Sequence, residues 1–332
     1  MIQKLVNVYR GDLVESVHYG KIVVVNTDGE TLASTGNKEM LTYWRSAAKP
    51  FQAMAVILSG AATEFQISEQ ELAVISSSHS GEEEHIKIVR GILKKIGLTE
   101  NDLKCGIHPP YYKPAARSIY KRGIKPGPIY NNCSGKHAGI LSICKKMGWD
   151  IEDYNNPEHP VQQLMLKIVA DVTDYPKQKI NIGIDGCGVV VFGLPLERMA
   201  YAFSRLANPD SLPEKYTEAA RKIATAIRKH PYLIAGTNRF NTGLLELAGE
   251  KLIAKSGAEG IFCLGVYGDI GMAVKIADGN KRAVPPVIVE TLSRLKVLNR
   301  GEIAELKEYH NPELRNNHRS VVGKIKPVFT FK

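Results

Sequence analysis

Long apolar runs are absent from this chain of 332 residues, although 44% of them are hydrophobic. A transmembrane helix needs about 20 consecutive apolar residues, so the sequence predicts no membrane span and no membrane partner. Residues 1–10 have the alternating pattern of a strand and do not contain the apolar core of a secretion signal. The chain is long enough to bury a large core in one domain or two.

Cysteine is also scarce. The chain contains five cysteines, an odd number, and they are widely spaced. Secreted domains that depend on disulfides use an even number of cysteines at short spacings. We therefore expect reduced thiols and a cytoplasmic location.

Clusters of basic residues are missing despite a formal net charge of +10. The basic residues occur in dispersed pairs, such as Lys94-Lys95 and Lys281-Arg282, without an interleaved aromatic platform. The sequence therefore predicts no nucleic-acid partner. A dispersed positive field is suited instead to attracting a small anionic or zwitterionic substrate.

Strand patterns occupy both ends of the chain, and helical patterns dominate the middle. Strands are predicted at residues 5–9, 14–19, 21–25, 179–184, 189–192, 251–255, 260–266, 272–276 and 321–331. Helices are predicted at residues 49–58, 82–96, 138–147, 160–172, 196–206, 213–229 and 287–297. The Pro-, Gly- and Tyr-rich residues 105–132 are expected to be irregular.

This order predicts an α+β (mixed α/β) fold in one domain over residues 1–332. A mostly antiparallel sheet, flanked by helices, would be built from about residues 1–45 and 250–332, with a helical region at about 60–240 inserted. A doubly wound parallel fold would alternate more strictly, and the sequence contains no dinucleotide-binding fingerprint.

Ser46 and Lys49 lie three residues apart, directly before Pro50. Proline is tolerated in the first turn of a helix, so we expect a helix to begin near Ser46. Residues at this spacing share one helical face. A neutral lysine beside a serine supplies a nucleophile together with its general base.

A second hydroxyl and a second amine extend this pair. Ser78 lies in a loop before a predicted helix. Ser80, in the same loop, is expected to cap that helix, which leaves Ser78 as the candidate catalytic hydroxyl. His79 is suited either to act as a base or to stabilise the loop. Lys255 ends a predicted strand before a small-residue turn. If Lys49 and Lys255 flank one pocket, their repulsion would keep one amine neutral.

Cys133 and Cys187 each lie in a glycine-rich turn at the end of a predicted element. Together with either Lys136 or His137, these thiols have the donor types that bind Zn²⁺. A nitrogen ligand would have to be neutral to bind the metal.

Five stretches together resemble the motifs of the asparaginase II family, the Rhizobium-type L-asparaginases. The resemblance keeps the order of the motifs, and these lie at residues 45–52, 76–82, 132–139, 183–188 and 255–260. It implies hydrolysis of L-asparagine to L-aspartate and ammonia, and a fold similar to serine β-lactamases and penicillin-binding transpeptidases.

The resemblance also assigns residues. It implies two Ser-Lys pairs, Ser46 with Lys49 and Ser78 with Lys255. It further implies one zinc site, formed by Cys133, Lys136 and Cys187.

From these assignments we expect covalent catalysis in which Ser46 attacks the side-chain amide and Lys49 accepts its proton. Arg45 or Arg239 would bind the substrate α-carboxylate, and Asp185 its ammonium. A homodimer is expected. Two alternatives stay open: a β-lactamase-like or peptidase-like hydrolase, and a non-catalytic protein that binds zinc or an amino acid.

Overall fold

The structure is a computed structural model that describes residues 2–36 and 39–331. Met1, with which the predicted first strand pattern begins, lies outside these residues. Within them, the strands in chain order are β1 (Gln3–Arg10), β2 (Leu13–Val25), β3 (Thr31–Ser34), β4 (Leu41–Tyr43), β5 (Asn181–Ile184), β6 (Val190–Pro195), β7 (Leu252–Ser256), β8 (Ile261–Val266), β9 (Ile270–Ile276), β10 (Glu313–Arg315) and β11 (Val321–Pro327).

The helices of the described residues are numbered in the same way. They are α1 (Lys49–Leu58), α2 (Ala61–Glu64), α3 (Glu69–Ile75), α4 (Glu83–Lys95), α5 (Lys113–Lys121), α6 (Ser134–Met147), α7 (Pro160–Thr173), α8 (Leu196–Ala207), α9 (Glu214–Lys229), α10 (Pro231–Ala235), α11 (Phe240–Ala248), α12 (Val284–Arg294), α13 (Arg300–Glu305) and α14 (Lys307–His310).

The chain divides into two compact units. The first unit consists of Met1–Thr42, Pro195–Asn208 and Leu247–Lys332, and the second of Tyr43–Leu194 and Pro209–Glu246.

The first unit is built around an antiparallel sheet of strands from both ends of the chain. The strand order is β10-β11-β1-β2-β9-β8-β7, and β3 pairs with β2. Val6 lies opposite Pro327 in the β1–β11 pair, and Val23 lies opposite Ala273 in the β2–β9 pair. The predicted mixed α/β fold with a mostly antiparallel sheet is therefore confirmed.

Strand β2 differs from its prediction because residues 13–25 form one strand instead of two. The glycine within it, Gly20, brings two backbones together: a Cβ at this position would lie 2.3 Å from the Lys275 carbonyl oxygen. A glycine inside a strand thus marks a close approach here and does not end the strand.

The second unit consists of packed helices together with strands β5 and β6, which pair antiparallel. Helix α1 begins at Lys49 with Pro50 in its first turn, as predicted, and residues 49–56 are buried. Helix α6 packs so closely on α3 that a Cβ on Gly135 would lie 2.4 Å from the Val74 carbonyl oxygen. This contact fixes the start of α6 next to the loop that follows α3.

Two local predictions in this unit are wrong. Residues 105–132 contain helix α5, which the Pro- and Gly-rich composition concealed. Ser80 does not cap α4, because the N-cap residue is Glu82 and the Ser80 hydroxyl donates to the Ala235 carbonyl oxygen at 2.7 Å.

Over the described part of the chain, no helix combines the length and the apolar character that crossing a bilayer requires.

Candidate active site

Loops at the ends of several elements of the second unit carry most of the predicted site residues. Ser46 and Lys49 lie before and at the start of α1, Ser78 follows α3, and Cys133 precedes α6. Asp185 follows β5.

The turn before α1 has an unusual backbone. Residues Arg45–Ala48 form a 3₁₀ turn, and Arg45 adopts a φ of +52°. A non-glycine residue in this left-handed region costs about 1–3 kcal/mol, and such residues cluster at functional sites. No local sequence pattern at Arg45 indicates this strain.

Lys49 is fully buried and makes three hydrogen bonds. Its Nζ donates to the Ser77 carbonyl oxygen at 2.6 Å and to the Asn132 carbonyl oxygen at 3.4 Å. The third contact joins Nζ to Ser78 Oγ at 3.2 Å. In the neutral form of this amine, the two N–H groups would donate hydrogen bonds to the two carbonyl oxygens, and the nitrogen lone pair would face the Ser78 hydroxyl.

Ser46 is partly accessible, in contrast to Lys49. Among the described residues, Lys49 Nζ forms no hydrogen bond with Ser46. The serine hydroxyl that it contacts is that of Ser78. The Ser46 backbone N–H has no acceptor among these residues either. It is therefore open to a developing oxyanion.

Arg45 and Asp185 form an ion pair. Arg45 Nε donates to Asp185 Oδ1 at 3.0 Å, and Arg45 Nη2 lies 2.8 Å from the same oxygen. Burial acts to raise the pKa of Asp185, but Lys136 and Arg45 outweigh burial and lower that pKa below its usual value. Asp185 is thus a carboxylate at neutral pH, and its Oδ2 accepts no hydrogen bond from a described residue.

Cys133, Lys136 and Cys187 converge in a buried cluster. Lys136 Nζ lies 3.1 Å from Cys187 Sγ. The hydrogen bond from Cys133, helped by Lys136, lowers the pKa of Cys187 to about 5 in spite of its burial. Burial opposes charge on Lys136, but the two cysteines and Asp185 raise its pKa above the usual value.

This cluster meets one requirement of a zinc site, since two sulfurs and one nitrogen come together out of solvent. It also sets a condition, because Cys133 and Lys136 would have to lose protons to bind a metal. Over residues 2–36 and 39–331, this cluster included, no group of three or more His, Cys, Asp or Glu side chains is placed to hold a metal ion.

His79 is a structural residue, because both of its ring nitrogens are occupied. The Gly81 N–H donates to Nδ1 at 3.2 Å, so Nε2 carries the proton and donates to Ser134 Oγ at 2.9 Å. Burial, followed by His85, Lys49 and His108, lowers the pKa of His79 well below its usual value. Of its two predicted roles, the structure supports loop stabilisation.

Arg239 lies in the loop after α10. Its Nη1 donates to Ser80 Oγ at 3.3 Å, and no described carboxylate forms an ion pair with it. Burial lowers the pKa of Arg239, which nevertheless keeps its charge because a guanidinium is protonated at any physiological pH.

Glu82 holds this loop and was missed by the sequence analysis. It is 7% exposed, and its carboxylate accepts from the Thr237 N–H at 2.8 Å and from Thr237 Oγ1 at 2.5 Å. The available signal is an acidic residue directly after Ser80 and Gly81, at the start of the helix predicted for residues 82–96.

Lys255 belongs to the first unit. It lies near the end of β7, as predicted, is fully buried and donates to the Ser256 carbonyl oxygen at 2.7 Å. Its pairing with Ser78 and its effect on Lys49 stay predictions.

Comparison with known proteins identifies the class. The sequence model of the L-asparaginase II family matches residues 6–327, and this supports a hydrolase that acts on amides. The chain belongs to the L-asparaginase II family. No curated protein matches it.

Solved structures resemble the chain only distantly. Mglu in its native form in 4.3 M NaCl has 15% sequence identity and a TM-score of 0.39, over 84% of this chain and 61% of that chain. A probable glutaminase, ybaS, has 12% identity and a TM-score of 0.36, over 79% of this chain and 80% of that one. The chain thus spans about three fifths of the Mglu chain. Similarity at this level carries no argument about activity.

Proposed function

We propose that the protein hydrolyses L-asparagine to L-aspartate and ammonia through an acyl-enzyme on Ser46. The observation that carries the proposal is the buried Lys49 amine, three positions after Ser46, which two backbone carbonyls hold beside the hydroxyl of Ser78. It occurs in a chain of the asparaginase II family.

In the proposed reaction, Ser46 Oγ attacks the side-chain amide carbon and the neutral amine of Lys49 takes the hydroxyl proton. The backbone N–H of Ser46 stabilises the oxyanion. When the C–N bond breaks, a proton passes from Lys49 through Ser78 to the departing ammonia, with Lys255 as the further member of this relay. Water then cleaves the ester and releases aspartate.

Substrate binding is assigned to two groups of opposite charge. Arg239 suits the α-carboxylate because its guanidinium has no carboxylate partner among the described residues. Asp185 suits the α-ammonium because its Oδ2 is open. Arg45 is already paired with Asp185, and its proposed role is to orient that carboxylate.

The nucleophile is tested by single-turnover mass spectrometry with asparagine. Ser46→Ala is expected to lower ammonia release by at least about 10³-fold and to form no acyl-enzyme. Ser78→Ala is expected to slow turnover and to retain an adduct on the Ser46 peptide. An adduct on Ser78 in the Ser46→Ala variant would contradict this assignment and make Ser78 the nucleophile.

The same assay separates the alternatives. Ammonia release from glutamine in place of asparagine would make the protein a glutaminase. Hydrolysis of a β-lactam reporter without ammonia release would favour the β-lactamase-like alternative, and binding without release the non-catalytic one.

Zinc is a further part of the proposal. Cys133, Lys136 and Cys187 would hold the ion, which would act as a Lewis acid that orients the substrate. Metal analysis tests this: Cys187→Ser is expected to lose zinc, whereas Cys144→Ser, at another buried free cysteine, is expected to keep it. Equal zinc contents would contradict the site. The homodimer stays a prediction that light scattering can test.

A further inference from the structure

Tyr111 lies in the loop that leads into α5. Resting on the function proposed above, we propose that its hydroxyl donates a hydrogen bond to the α-carboxylate of the substrate, next to Arg239. Tyr111 is then a second substrate contact that determines affinity for α-amino acids.

One side of Tyr111 is tied to the environment of Lys49. The ring of Tyr111 stacks on His108, with centroids 4.5 Å apart and planes inclined by 11°. His108 Nε2 accepts from the Asn132 backbone N–H at 3.0 Å. The carbonyl of Asn132 in turn accepts from Lys49. This chain of contacts fixes the tyrosine ring relative to the buried amine.

The other side is tied to Arg239. The backbone N–H of Tyr112 donates to the Ser80 carbonyl oxygen at 3.1 Å, and Ser80 Oγ accepts from Arg239. Pro110 presses on Gly81, where an added Cβ would lie 3.0 Å from the proline Cα. Tyr111 is therefore anchored through residues on both sides of it.

The hydroxyl of Tyr111 is available for a ligand. The residue is 55% exposed, and no described residue forms a hydrogen bond with the phenol. Partial burial raises the pKa of Tyr111, Cys133 and Asp185 raise it further, and Arg239 opposes them, so the phenol is a protonated donor at neutral pH. The influence of Arg239 and Asp185 on this pKa agrees with the contacts that place Tyr111 near the two groups assigned to the amino acid.

A phenol beside a guanidinium gives a carboxylate two donors of different geometry. Both hydrogen bonds are to a charged acceptor and are therefore stronger than bonds between neutral groups. A substrate that has the same amide and amine but no carboxylate gains nothing from either donor. Tyr111 should therefore discriminate between such substrates.

The test compares asparagine with β-alaninamide, which lacks only the α-carboxylate. Tyr111→Phe is expected to raise the KM for asparagine about tenfold, to change kcat less than twofold, and to leave kcat/KM for β-alaninamide unchanged. Tyr120→Phe is the matched control, because Tyr120 is also 55% exposed and lies on α5. It is expected to behave as wild type.

Aspartate binding measured by calorimetry makes the test independent of turnover, because the product carries the same α-carboxylate. Tyr111→Phe is expected to weaken aspartate binding about tenfold while leaving the melting temperature unchanged. Equal aspartate affinities, or equal losses with asparagine and β-alaninamide, would overturn the assignment. Absence of ammonia release by the wild type would overturn the proposed function and leave the calorimetric result to decide the role of Tyr111.

Discussion

Replacing Glu82 by glutamine is expected to loosen the loop that carries Arg239 and to weaken substrate binding. The carboxylate of Glu82 is buried and accepts two hydrogen bonds from Thr237. A glutamine keeps one acceptor oxygen for the Thr237 N–H, and its amide N–H₂ can donate to the Thr237 hydroxyl, so both bonds can form but neither involves a charged group.

The magnitude follows from the charge and the burial of the acceptor. A hydrogen bond to a charged group contributes about 1.5–3 kcal/mol and one between neutral groups about 0.5–1.5 kcal/mol, so each of the two bonds loses about 1 kcal/mol. We expect Glu82→Gln to lower the free energy of unfolding by about 2 kcal/mol. Because Arg239 is held through the same loop, KM should rise with a smaller change in kcat.

Urea unfolding and steady-state kinetics measure the two effects. Glu83→Gln is the matched control, since it makes the same change at the next position, where the side chain is exposed. A double-mutant cycle with Thr237→Val should give a coupling of about 1–2 kcal/mol. The reasoning is refuted if Glu82→Gln and Glu83→Gln unfold within about 0.5 kcal/mol of each other.

Three further predictions concern backbone conformation and pH. Gly91→Ala on α4 should stabilise the protein by about 0.5–1 kcal/mol in urea unfolding, because its Cβ would meet nothing closer than 3.7 Å. Gly236→Ala should lower the free energy of unfolding several-fold more than Gly97→Ala. Both glycines have positive φ, but only at Gly236 would the added Cβ clash, 2.3 Å from Glu82 Oε1. Equal losses of unfolding free energy in the two variants would contradict this. Burial, with Lys136, lowers the pKa of His137 to about 3, so its neutral form contributes stability that is present above pH 6.5 and lost as the pH falls toward 3. His137→Gln should therefore reduce the slope of unfolding free energy against pH in this window by up to about 1.4 kcal/mol per pH unit.

Local sequence patterns predicted most elements of the fold. Helix α1 occurs at the predicted residues because Pro50 and the apolar run after it both favour a helix that starts there. Helix α5 was missed because its entry through Lys113 and Pro114 lies in a segment rich in turn formers. Strand β2 is predicted as two strands because a glycine within a strand pattern indicates a break. Only the neighbouring strand in the sheet shows that this glycine permits a close approach instead.

The site was predictable where residue types at fixed spacing carry the chemistry, as for Ser46 and Lys49. The partners of Lys49 were not, because Ser77 and Asn132 are separated from it by 28 and 83 positions. Glu82 and Thr237 are 155 positions apart, and no local pattern links them. Long-range hydrogen bonds of this kind are decided by tertiary packing, which a single sequence does not display.

The pairing of β1 with β11 has a consequence for synthesis on the ribosome. Strands β1 and β2 leave the ribosome well before their neighbours β9 and β11. During elongation the β1–β2 pair therefore presents unpaired edges, on which foreign strands can add. The residues of the second unit lie between β2 and β9 in the chain, so this unit can fold while the edges of the β1–β2 pair are still unpaired. Aggregation of nascent chains should accordingly be most sensitive to the rate at which the segment from β9 to β11 is translated.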